Sequence, residues 1–189
     1  ALTAASTFTS NLGEQDALSL VTFASQAELV LPLTSDANLV SRLIRNLSIA
    51  EGEETGFTNT VAALELAAAE LNSDNHNPDA RRVMVILTDG QPTDPDDERP
   101  ILEEAVTLAD EIDGGGVEIY AIGLGSEVDR DFIRDLASSE ANAFFALTGI
   151  NLEEDLAQVY SDITSAICES GPTKIDVIAK TTANFTPLR

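Results

Sequence analysis

The sequence predicts a doubly wound α/β domain, a mostly parallel sheet flanked by helices on both faces. Three observations carry this. Short apolar runs of strand length, Ala17 to Ala24, Arg82 to Thr88 and Val117 to Ile122, alternate with longer stretches of helical period. The runs are apolar almost throughout, the pattern of strands covered on both faces. The chain has 189 residues, enough for one sizeable core.

The elements follow in order. Ala1 to Leu12 carries Leu2, Ala5, Phe8 and Leu12 at helical spacing, stopped by Gly13 and the polar Glu14-Gln15-Asp16. Ala17 to Ala24 reads as a strand. Glu28 to Leu33 reads as a second, and the short polar step between them predicts a hairpin. Ser35 or Asp36 caps a helix running to about Asn46, with Leu39, Leu43 and Leu47 on one face. The loop Glu51 to Phe57 ends at Thr58, where a helix begins that stripes Val61, Leu64, Ala68 and Leu71. Ser73 to Asp79 is rich in turn formers.

Arg82 to Thr88 is the strongest strand, followed by Asp89-Gly90 and the acidic, proline-bearing loop Gln91 to Glu98. Ile101 to Ile112 is amphipathic and stops at Gly114-Gly115-Gly116. Val117 to Ile122 is a buried strand closed by Gly123-Leu124-Gly125. A short helix over Asp129 to Ala137, a short strand over Ala143 to Leu147 and a helix over Leu152 to Ile167 complete the pattern. After Gly171-Pro172 the helical period ends. Residues 170–189 are expected as a linker or the first strand of a following domain, leaving residues 1–169 as the domain proper.

Charge narrows the functions. Asp and Glu number 33 against 10 Lys and Arg, a formal net charge of −23. Such a field repels nucleic acid and anionic membrane and attracts cations. It reads either as a solvated acidic surface or as a set of weak calcium sites. No run reaches the roughly 18 apolar residues of a membrane span, so membrane insertion is not expected. The single cysteine, Cys168, cannot close an internal disulfide, and reads either as a free thiol or as the partner of a cysteine outside this segment. Enzymatic function is not expected. His76 is the only histidine and lies in a polar loop, no nucleophile elbow is present, and Gly123-Leu124-Gly125 lacks the rest of a phosphate cradle.

In a doubly wound sheet, ligands bind at the carboxyl ends of the strands. Two loops there hold candidate residues. Thr58 opens a helix, where a threonine either caps backbone N–H groups or serves a site. Asp89 follows a buried strand and precedes Gly90, as either a turn former or a site residue.

The blocks FTSNLGEQDALSLVTFASQAELVLPLT, GFTNTVAALELAAAEL, RRVMVILTDGQPTD and VEIYAIGLGSEVDRDFIRDLAS, then a final helix ending Ile167-Cys168, occur in that order. This succession resembles the von Willebrand factor type A domain family over residues 1 to about 168. The resemblance implies a protein-binding or adhesion module of an extracellular or cell-surface protein. It implies a metal-ion-dependent adhesion site holding Mg2+, Mn2+ or Ca2+, with an acidic side chain of the protein partner at the open position. Thr58 and Asp89 match two of its metal ligands.

The family's Asp-x-Ser-x-Ser motif is absent from all 189 residues, as is the first strand that precedes it. The cation is therefore expected to be weakly held or missing, because Mg2+ wants near-octahedral oxygen coordination. The alternative reading is a structural domain with no functional metal site. In the family that strand lies between the Ala17–Ala24 and Arg82–Thr88 strands. Its slot would be filled by an upstream segment, by another chain, or by Lys174 to Lys180 folding back. The resemblance also implies that Cys168 pairs with a cysteine outside this sequence.

Overall fold

The computed structural model describes residues 16–46, 58–89, 92, 101–126, 128–146, 152–169 and 175–182. The helix expected over Ala1 to Leu12 and most of the loops 51–57 and 91–98 lie outside them. The described elements are β1 (Ala17–Phe23), β2 (Ala27–Thr34), α1 (Ala37–Asn46), α2 (Thr60–Leu71), β3 (Arg81–Thr88), α3 (Leu102–Gly114), β4 (Val117–Leu124), α4 (Arg130–Leu136), β5 (Ala143–Ala146), α5 (Leu152–Glu169) and β6 (Ile175–Thr182).

The strands form one sheet in the order β2-β1-β6-β3-β4-β5. Only the β1–β2 hairpin is antiparallel. The pairs β1–β6, β6–β3, β3–β4 and β4–β5 are parallel. The alternation read from the sequence therefore builds the expected doubly wound sheet.

Its sixth strand departs from expectation. Residues 175–182 lie inside this sheet rather than leading out of it, between β1 and β3. In this structure residues 175–182 pair with both neighbours, the fold-back arrangement named among the three possibilities. The physical reason is that β1 and β3 are both inner strands whose N–H and C=O groups need partners. β6 pairs with both along seven successive register positions.

Strand alternation divides the core into two layers. On one face Leu18, Leu20, Val83, Val85, Leu87, Tyr120 and Ile122 pack with Val40 and Ile44 of α1 and Leu156, Ile163 and Ile167 of α5. On the other, Val21, Met84, Ile86, Ile119 and Ala121 pack with Leu64, Ala67 and Leu71 of α2, Ala105 and Ala109 of α3, and Phe132 and Ile133 of α4.

Helix ends follow local chemistry. The Asp36 carboxylate accepts the Leu39 N–H at 2.9 Å, capping α1 as expected. Asp129 caps α4, accepting from Asp131 and Phe132 N–H at 3.1 Å each. The α2 stripe is rotated from the expected one. Ala63, Leu64, Ala67 and Leu71 are fully buried, while Val61 and Ala68 are only half-buried. Small alanines on the inner face allow the helix backbone to lie close to the sheet. Among the described residues, no helix is long and apolar enough to cross a membrane.

Candidate functional site

Because β1, β6, β3, β4 and β5 run parallel, their carboxyl ends share one edge of the sheet. Thr58 and Asp89 both reach that edge, by different routes. Asp89 is the residue immediately after β3 and is half-buried. Thr58 is buried, at 5% exposure, and precedes α2. The α2 entry is tied to the end of β1, because the Asn59 backbone N–H donates to the Ala24 carbonyl at 2.8 Å. The Asn59 side-chain amide donates to the Ser25 carbonyl at 3.3 Å. The ends of β1 and β3 stand about 10 Å apart, one strand between them.

Thr58 is not the helix cap that its position suggested. The cap is Asn59, whose side-chain oxygen accepts the Ala62 N–H at 3.0 Å. The helix starts two residues later than Thr58, at Thr60. The sequence carried the signal, since Asn caps at least as well as Thr. The Thr58 carbonyl accepts from the Thr60 N–H at 2.8 Å, holding the entry turn closed.

The fit of a divalent cation can be tested on donor chemistry. Thr58 and Asp89 offer one hydroxyl and one carboxylate, both hard oxygen donors. Among the described residues no group of three or more His, Cys, Asp or Glu is placed to hold a metal. The strand between the two donors ends Lys180-Thr181-Thr182 and adds no carboxylate. The described residues alone therefore do not make a complete cation site.

The remaining features of this edge are built for packing. Gly123 and Leu124 are the last two residues of β4, and Gly125 follows it. A Cβ on Gly123 would approach Ile133 Cγ1 to 3.0 Å and both Val128 Cγ1 and Phe145 Cδ1 to 3.2 Å. Gly125 takes φ 103°, a conformation open mainly to glycine, and its N–H donates to the Ala146 carbonyl at 2.8 Å. Sequence reading missed Arg130, whose guanidinium lies 3.6 Å from the centre of the Phe145 ring. No periodicity announces this cation–π contact, because it joins a helix to a strand.

A second polar cluster lies toward the amino ends of the strands and is structural. Arg81 pairs with Glu118 and donates to the Ile167 carbonyl at 3.0 Å. Glu118 also accepts from the Tyr120 hydroxyl at 3.0 Å and the Asn142 amide at 3.2 Å. Burial first, then the Glu118 carboxylate, pushes the Tyr120 phenol well above its ordinary value. These bonds tie β3, β4 and α5 together. Cys168 lies in the last turn of α5. His76 lies in the turn-rich segment after α2.

Comparison with known proteins agrees with this architecture. Matrilin-1 of Mus musculus is 27% identical over 159 residues, which is 80% of this chain and 30% of that protein. Matrilin-1 of Bos taurus is 28% identical over 122 residues, 63% of this chain and 21% of that protein. The chain thus spans less than a third of the matrilins it matches.

Among solved structures, the von Willebrand factor domain of the type V pili tip protein Mfa5 from Porphyromonas gingivalis superposes with a TM-score of 0.74. It is 12% identical, with 92% of this chain and 90% of that one covered. Proximal thread matrix protein 1 from the mussel byssus gives 0.68 at 21% identity, covering 88% and 40%. A further structure of that mussel protein has a zinc-occupied metal-ion-dependent adhesion motif, with a TM-score of 0.67 at 16% identity, covering 86% and 43%. At these identities the structures show a shared fold alone. The sequence profile of the von Willebrand factor type A domain matches residues 1–159. The chain belongs to the von Willebrand factor type A domain family.

Proposed function

We propose that this chain is a protein-binding module of the adhesion type, within a larger extracellular or cell-surface protein. It presents the carboxyl edge of its sheet to the partner. One observation carries the reading: Thr58 and Asp89, more than thirty positions apart in sequence, reach the same edge of one rigid sheet. Family membership, the matrilins it matches in sequence and the pilus tip protein that shares its fold support it. We count the module as non-enzymatic.

The finer part of the proposal concerns the cation. Thr58 and Asp89 would contribute oxygen ligands to Mg2+, Mn2+ or Ca2+, whose role is to accept an acidic side chain of the partner. The remaining ligands must come from water, the partner, or residues outside the described set. Binding of the ion to this chain alone is then weak.

A second reading is a structural domain with no working metal site. The absence of a carboxylate in the Lys180-Thr181-Thr182 end of β6 favours it.

Thermal unfolding in Mg2+, Mn2+, Ca2+ or EDTA separates the two. A ligand bound only by the folded state raises the melting temperature. A rise that EDTA reverses and Asp89→Ala abolishes supports the cation-dependent module. A rise that survives Asp89→Ala reports only diffuse binding to the acidic surface. No rise with any ion supports the structural reading.

A further inference from the structure

A cavity of about 280 Å3 lies at the end of the sheet away from Thr58 and Asp89, where the C-terminal halves of α2 and α3 meet the amino ends of β3 and β4. Seven residues, about 23 Å of strand, separate Arg82 at this end of β3 from Asp89 at the other. The lining is graded by depth. Ile112 and Val117 are buried and form the floor. Ala68 of α2, Leu108 of α3 and Arg82 are half-buried and form the walls. Asn72, Glu111 and Gly115 are exposed and form the rim.

The Arg82 guanidinium is held at two points. One nitrogen donates to Asn72 Oδ1, and the other donates to the Gly115 carbonyl at 2.6 Å. Such bonds lie in the guanidinium plane and leave its flat face for an aromatic ring. The same chain uses that pairing elsewhere, with Arg130 3.6 Å from the centre of the Phe145 ring.

The rim is electrostatically one-sided. Among the described residues the Glu111 carboxylate has no ion pair, with Arg82 or any other. Asp110, Glu111 and Asp113 crowd the end of α3, whose last turn has no basic residue. A helix carboxyl end carries partial negative charge and favours a cation. Size narrows the occupant further. The volume falls below the roughly 300–1,000 Å3 usual for drug-sized ligands and suits one large side chain. The floor therefore asks for an apolar group, the Arg82 wall for an aromatic one, and the rim for a basic neighbour.

We propose that this cavity receives an aromatic side chain of a protein partner, next to a lysine or arginine that meets Glu111. Aromatic anchors seated in small pockets are the usual energetic centres of protein interfaces. This is a second binding surface, distinct from the carboxyl edge and independent of any cation there.

The test uses the intact chain in EDTA and the synthetic peptide acetyl-Gly-Lys-Trp-Lys-Gly-amide. The chain contains no tryptophan, so indole fluorescence reports on the peptide alone. Saturable binding with a blue-shifted emission is expected, with amide NMR shifts centred on Leu108, Ile112, Gly115 and Val117. Replacing the peptide's tryptophan by alanine should weaken binding at least about tenfold. Ala68→Met, which fills the cavity from α2 with a good helix former, should do the same. Should that variant fail to fold, Leu108→Phe crowds the other wall and serves. Glu111→Lys should weaken binding at least about threefold. Absence of saturable binding, equal binding of the alanine peptide, full binding to the filled variant or unchanged affinity for Glu111→Lys would overturn the proposal. With EDTA present throughout, such a failure leaves the reading of Thr58 and Asp89 untouched.

Discussion

The Asn59 backbone N–H donates to the Ala24 carbonyl oxygen at 2.8 Å, joining the entry of α2 to the turn after β1. The same residue caps the helix through its side-chain oxygen and reaches Ser25 through its amide. One side chain therefore sets where α2 begins and, with it, where Thr58 stands. Asn59→Ala keeps the backbone bond and loses both side-chain bonds. A loss of about 1 kcal/mol is expected in urea unfolding. Asn59→Asp retains the cap acceptor and should recover most of it.

Glu70 is a buried carboxylate, at 7% exposure, that periodicity places on an inner helix face. Its Oε1 accepts the Leu33 N–H of the edge strand β2 at 2.7 Å and the Asn75 amide at 3.2 Å. Removing the acceptor leaves a half-buried backbone donor without it. Glu70→Ala is expected to cost about 1–3 kcal/mol. Glu70→Gln, which keeps a carbonyl oxygen, should cost less. Denaturant midpoints of the two variants make the comparison.

Gly123 faces Ile133, Val128 and Phe145 at distances a methyl group would violate or crowd. Gly123→Ala is expected to destabilise by about 1–3 kcal/mol, through displaced side chains in a packed layer. A calorimetric melt checks it. A neutral outcome would show that this corner can open without cost.

Alkaline pH should weaken the fold. Burial holds the Tyr160 phenol far above its ordinary value, and burial together with Glu118 does the same for Tyr120. In the unfolded chain both ionise near the ordinary value of about 10. Below that pH both states hold the proton and the contribution is constant. As pH rises from about 10 toward the raised folded values, the unfolded state alone releases protons and stability falls. Unfolding free energies measured from pH 8 to 11 should decline above about pH 10. Tyr160→Phe should flatten part of that slope.

The net charge of −23 is self-repelling in the compact state. Raising NaCl to about 0.5 M shortens the screening length to a few ångströms. The melting temperature should rise with NaCl even in EDTA. A flat response would mean that the carboxylates are already locally compensated.

Much of the fold was legible because its signals are local and periodic. The apolar runs gave β1, β3 and β4, and Asp36 and Asp129 marked two helix starts. Thr58 was legible as a loop residue but not as one displaced from the cap. Two adjacent residues, Thr58 and Asn59, could each have filled that role. Their assignment depended on where Asn59 met Ala24 and Ser25. The α2 stripe shifted toward Ala63 and Ala67 for a related reason. Periodicity finds the apolar side of a helix, whereas close approach to a sheet selects its smallest residues.

By itself, then, the sequence determined the two-layered doubly wound core and the candidacy of Thr58 and Asp89, because burial pattern and turn chemistry are written residue by residue. The tertiary structure decided what stands between them. Ile175 to Thr182 carries a weak strand signal, with Lys180 in its body. It joins the sheet only because β1 and β3 together present two rows of backbone groups that need partners. That demand arises from strands more than forty positions apart in sequence, and it exists only once they are folded side by side.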